Sequence, residues 1–141
     1  MTDLSLAIDT SGAVSYVALR KASGEVVELD SSSSGRHEGL AGQVAELFQR
    51  TGLSYSEISR GVLGSGPGAF TGLRIGYSFM QGLAAAVGFP VAEISSLEAF
   101  ARGLVGSAPT ICILRDARRD ELFAQFFGVD GGTLRVLSEP K

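Results

Sequence analysis

The sequence has 141 residues, of which 45% are hydrophobic and 19% charged, with a net charge of −3. That length suits one domain with at most a piece of a second, and the hydrophobic share is that of a globular chain rather than a disordered one. Lysine occurs only at Lys21 and Lys141 with no basic stripe, which speaks against autonomous nucleic-acid binding, and a single cysteine excludes an intrachain disulfide.

Segment 4–9 reads as a mostly buried strand, and 14–20 and 25–30 follow it after turns at 9–12 and 23–24, which predicts an antiparallel meander. The serine run 31–34 is a loop. A helix over 36–51 places Leu40, Val44, Leu47 and Phe48 on one stripe, and Gly52 stops it. The apolar strand 61–64 then enters a loop with glycines at 64, 66, 68, 72 and 76. Thr71 stands where an N-cap would be. Strand, glycine loop and helix start together suit an anion site, and equally a tight turn with no ligand. Helix 74–87 is apolar or small nearly all round, which predicts cover on both sides. Segment 91–94 is a short strand. Ser95 and Glu98 have the spacing of a capping box opening a third helix to about 104. The order is α/β, a mixed sheet with helices. Strands at 110–115, 121–129 and 134–137 open a β-rich second unit, dividing the chain into 1–106 and an incomplete 107–141. Cys112, in an apolar run, is expected to be a buried, inert thiol.

Metal and covalent chemistry find little footing. His37 is the one histidine, so no cluster has metal-ligand spacing and no nucleophile–base pairing is signalled; His37 suits a surface or capping role. The glycine loop has no nearby lysine, which rejects a Walker A loop. Residues 64–69 fit a dinucleotide fingerprint with Glu93 downstream, but Glu93 lies inside its strand and the chain opens with a meander. Asp9, Thr10 and Ser11, at the end of the first strand, are an acid beside hydroxyls. They could hold magnesium and phosphate opposite the glycine loop, as in actin-like ATPases, or Asp9 simply caps its turn; with no basic group nearby, the capping role is preferred. The first residues lack a basic region and no apolar run is long enough to span a bilayer, so a cytoplasmic protein is expected.

Several stretches resemble one family. Leu6-Ala-Ile-Asp-Thr-Ser11, His37, Gly66-Pro-Gly-Ala-Phe-Thr-Gly-Leu-Arg-Ile-Gly76, Gln81-Gly-Leu-Ala84, Ser95-Ser-Leu97 and Asp116-Ala-Arg118 are similar, in order and spacing, to the TsaB (YeaZ) family, also labelled glycoprotease-like. The resemblance implies one RNase H-like half of an actin/Hsp70-like fold followed by the start of a second. It implies a non-catalytic subunit that activates a TsaD-like transferase, with a TsaE-like ATPase, in threonylcarbamoyladenosine synthesis on ANN-decoding tRNAs. No cofactor would be required, with weak ATP or ADP binding left open, and tRNA would be met only through the complex. Asp9, Thr10, Ser11, Gly66, Pro67, Gly68, Thr71, Gly72 and Arg74 would form a vestigial nucleotide or loop site. Arg74, in a first helical turn, is expected to have an acidic partner. His37, Leu40, Ala41, Val44, Tyr77, Phe79, Met80 and Leu83 would form the partner interface. Family members are longer, so apolar surface is expected to stay uncovered and to drive homodimerisation of the chain alone. The rival reading is an actin-fold phosphotransferase using Asp9 and the 64–76 loop; a dinucleotide domain comes third.

Overall fold

A computed structural model of the chain describes residues 3–32 and 39–141. Five strands make the first sheet: β1 (Leu4–Asp9), β2 (Tyr16–Arg20), β3 (Val26–Asp30), β4 (Ile58–Gly64) and β5 (Val91–Ile94), in the order β3-β2-β1-β4-β5. The meander β1-β2-β3 is antiparallel, and β1, β4 and β5 run parallel to one another. Parallel neighbours need crossover connections, and helices supply them: α1 (Gly39–Thr51) and the long α2 (Phe70–Val87).

Alternation in β1 and β2 turns Leu4, Leu6, Ile8, Val17 and Leu19 to one face of the sheet, where the apolar stripe of α1 and Met80 of α2 meet them in the main core. β4 begins at Ile58, earlier than its glycines suggested. Gly61 lies close under the core within it: a Cβ there would press on Met80 Sδ at 2.7 Å and on Phe89, which would have to shift. Gly88 ends α2 in the left-handed region and donates to Ala84 O.

A short helix, α3 (Ser96–Gly103), is capped by Ser95, whose side chain accepts from Glu98 N; the Glu98 side chain pairs with Arg102, so half of the expected capping box forms. It packs on a second, antiparallel sheet of β6 (Thr110–Arg118), β7 (Glu121–Asp130) and β8 (Thr133–Val136). Leu97, Ala101, Ile111 and Phe127 form the smaller core between them. The inner residues of β6 are therefore 111, 113 and 115. Cys112 points the other way and is exposed, correcting the expectation of a buried thiol. Its face of the second sheet has no helix among the described residues, so an apolar neighbourhood in sequence did not become an interior.

A second correction concerns α2. Only Gly76 and Met80 are buried on it, because sheet and α1 cover one side alone; Phe70 is 73% exposed and Ile75 51%.

Candidate functional site

Two strand ends and a helix start converge on one point. β1 delivers Asp9, Thr10 and Ser11; β4 delivers the loop from Gly64 to Ala69. Asp9 Oδ1 accepts from Ser11 N at 2.9 Å and from Ser11 Oγ, so its carboxylate closes its own turn. Thr10 and Ser11 are buried. Thr10 Oγ1 donates to Gly72 O at 2.7 Å, and Ala69 N donates to Ser11 O at 2.8 Å.

The glycines at 64, 68, 72 and 76 are explained by what lies against them. A Cβ on Gly64 would land on the Asp9 carboxylate, on Gly68 on the Ser11 carbonyl, on Gly72 on the Thr10 carbonyl, and on Gly76 on Thr10 Oγ1. The loop's occupant is the chain's own β1 turn. Gly66 answers a different need, at φ +89°: its N–H donates to Ser96 Oγ at 3.0 Å and its carbonyl accepts from Ser96 N at 2.7 Å, tying the loop to α3.

Thr71 does not cap α2. The helix starts at Phe70 with Ala69 as N-cap and no side-chain cap bond, because the bond from Ala69 N to Ser11 fixes its start there; Thr71 is exposed in the first turn. Arg74 stacks its guanidinium on Phe70, 5.4 Å from the ring centroid. None of the ion pairs among the described residues involves it, so the expected acidic partner is replaced by a ring.

Sequence reasoning missed the basic group at this site. Arg115, from β6, donates through Nη1 to Ser11 Oγ at 2.5 Å and to Pro67 O at 3.3 Å. Its guanidinium carbon lies 5.6 Å from the Phe100 ring centroid. A cavity of about 340 Å³ opens beside it, lined by Gly12, Tyr16, Arg118 and Phe123 among others. Position 115 shares the inner face of β6 with Ile111 and Ile113, the one clue in the sequence, useful only once the packed face is known.

Asp9 caps its own turn through Oδ1. Oδ1 is committed to Ser11, and the glycines are filled by the backbone and side chains of Asp9, Thr10 and Ser11. Among the described residues no three His, Cys, Asp or Glu side chains are grouped to hold a metal.

The proposed interface residues divide. Leu40, Val44 and Met80 are interior, at 8%, 0% and 0% exposure, so they face the sheet rather than a partner; the α1 stripe is consumed by its own core. Tyr77, Phe79 and Leu83 are half-buried against that core, and Ala41 is exposed. His37 lies outside the described residues. Burial and the neighbouring Glu93 carboxylate, which accepts from the phenol, raise the Tyr77 pKa. The uncovered side of α2 carries Thr71, Ile75, Ser78, Gly82, Ala85 and Ala86. No helix among the described residues is long and apolar enough to cross a membrane.

The model of the family described as TsaD, tRNA N6-adenosine threonylcarbamoyltransferase, matches residues 31–140. The tRNA threonylcarbamoyladenosine biosynthesis protein TsaB of Haemophilus influenzae is 32% identical over 121 residues, 84% of this chain and 51% of that protein. The protein of the same name from Bacillus subtilis is 29% identical over 130 residues, 92% of this chain and 57% of its own length. The chain thus spans about half the length of the curated relatives it matches. Among solved structures, YeaZ from Pseudomonas aeruginosa superposes with a TM-score of 0.86 at 30% identity, covering 99% of this chain and 66% of that one. The mixed sheet and its antiparallel successor are accordingly the RNase H-like, actin-like fold that the resemblance implied.

Proposed function

We propose, from the premise that this chain belongs to the family described by the TsaD model and within it to the TsaB/YeaZ proteins, that it is a non-catalytic partner subunit in threonylcarbamoyladenosine synthesis on tRNA. Its binding surface is the outer side of α2, and its partner is a TsaD-like transferase. A TsaE-like ATPase would act in the same cytoplasmic assembly, tRNA would be met only through it, and no cofactor would be required of this chain.

One observation carries the reading. An 18-residue helix of mostly apolar and small residues presents Phe70, Ile75, Gly82 and Ala85 to the outside. Small side chains let a second helix approach its backbone closely, and an exposed apolar patch of this kind marks an interaction surface. Homodimerisation of the chain alone through the same helix follows from the same surface chemistry.

Sedimentation tests it. Mixed with a TsaD-type transferase, the chain should form a complex that supports threonylcarbamoylation of tRNA, and Ile75→Arg should weaken that complex at least tenfold while leaving the melting temperature of the chain alone nearly unchanged. Undiminished pairing by Ile75→Arg would remove α2 from the interface; absence of any complex would remove the partner role.

A further inference from the structure

We propose that Asp9, Ser11, Pro67 and Phe100 form a seat for a guanidinium cation, that Arg115 is its resident occupant, and that filling the seat holds the second sheet against the glycine loop.

The acceptors converge from three elements. Ser11 Oγ and Pro67 O take hydrogen bonds from Arg115 Nη1, the Phe100 ring lies under the guanidinium, and Ser11 Oγ donates its own hydrogen bond to Asp9 Oδ1. A hydroxyl between a guanidinium and a carboxylate accepts from one and donates to the other, so the two charges are coupled without touching. The planar cation is chosen over a compact ammonium by the ring, which offers a face to stack on. Gly12 borders the fourth side: a Cβ there would meet Arg115 Nη2, the flexible end of that side chain. Arg115 has none of the ion pairs found among the described residues; its compensation is this hydrogen-bond relay.

The seat has a consequence for the cleft. A cation already stands over the hydroxyl that Asp9 orients, so that hydroxyl is engaged on both sides. Joining 11–12 and 67 to position 115, the same contact fixes the second sheet to the start of α2. This inference is independent of which partner the chain takes.

The test is chemical rescue. In Arg115→Ala, amide exchange at Ser11 and Ala69, both held in this turn, should rise roughly tenfold, the worth of one hydrogen bond to a charged group. Ethylguanidinium at about 10 mM, far below the range in which guanidinium salts unfold small proteins, should reverse the rise saturably. Methylammonium at equal ionic strength should not, and Arg115→Lys should be only partly protected. Unchanged exchange after truncation, a rise that ethylguanidinium leaves untouched, or equal reversal by methylammonium would each overturn the seat. Ser11→Ala, a small change that keeps Arg115, provides the second arm: it must raise exchange at Ala69 and abolish rescue in the double variant, and rescue that persists without the hydroxyl would also refute the assignment.

Discussion

Arg115 and Asp9 are coupled through a single hydroxyl: the guanidinium donates to Ser11 Oγ at 2.5 Å, and that oxygen donates in turn to Asp9. A double-mutant cycle with Asp9→Asn and Arg115→Gln should therefore return a coupling energy above about 0.5 kcal/mol, the level separating linked from independent sites. Additive losses in urea unfolding would mean that the relay carries no energy.

The glycine strip makes opposite predictions at two positions of one helix. Gly72→Ala drives a Cβ onto the Thr10 carbonyl, which is backbone and cannot step aside; a loss of about 2 kcal/mol or more is expected. Gly82→Ala meets open space and should gain about 0.5–1 kcal/mol from helix propensity. Thermal melts followed by circular dichroism separate the two, and equal effects would contradict the close-packing account.

Two adjacent serines hold the loop and α3 differently. Ser96→Ala leaves the Gly66 N–H without its acceptor in a buried setting, at a cost of about 1–3 kcal/mol. Ser95→Ala removes only an N-cap from Glu98 N, worth about 1 kcal/mol. Denaturant midpoints at constant slope would rank Ser96→Ala as the more damaging; the reverse order would place the loop's anchor elsewhere.

The Tyr77 pKa lies above its usual 10.0 in the folded chain, through burial first and then the hydrogen bond and charge of Glu93. The native state holds this proton more tightly than the unfolded state, so stability from this group is complete below pH 10 and falls as pH climbs from there through the folded value. Tyr77→Phe should cost the hydrogen bond to Glu93 at pH 7, about 1 kcal/mol, and flatten that alkaline loss. Phenolate absorbance during a pH titration, with and without the substitution, checks the direction; a Tyr77 ionisation at or below 10 would refute it.

The element order was legible because its signals are local: the apolar run of β1, the stripe of α1, the Ser95 cap, the glycine stops. The glycine motif was legible as a place where something comes close, but not what comes close, since Thr10 and Ser11 reach it only through the parallel pairing of β1 with β4. Arg115 was invisible for the same reason, standing 104 positions from the hydroxyl it meets. Burial was misread where composition stood in for cover. Val44 looked available to a partner and is interior, while Cys112 looked interior and is exposed. An apolar residue becomes core only if another layer lies over it.

The contact between α2 and the β1 turn is main chain against main chain, cross-linked by Thr10 Oγ1 to Gly72 O. Backbone meets backbone at Gly68 and Gly72, and the one threonine side chain in the joint is held by its hydrogen bond, so little room is left in which to roll. The azimuth of α2 about its own axis is thereby set before any partner arrives, so a binding protein would meet one fixed relief of small residues instead of an ensemble of rotated helices, and the entropy of choosing that orientation is spent in folding rather than in association.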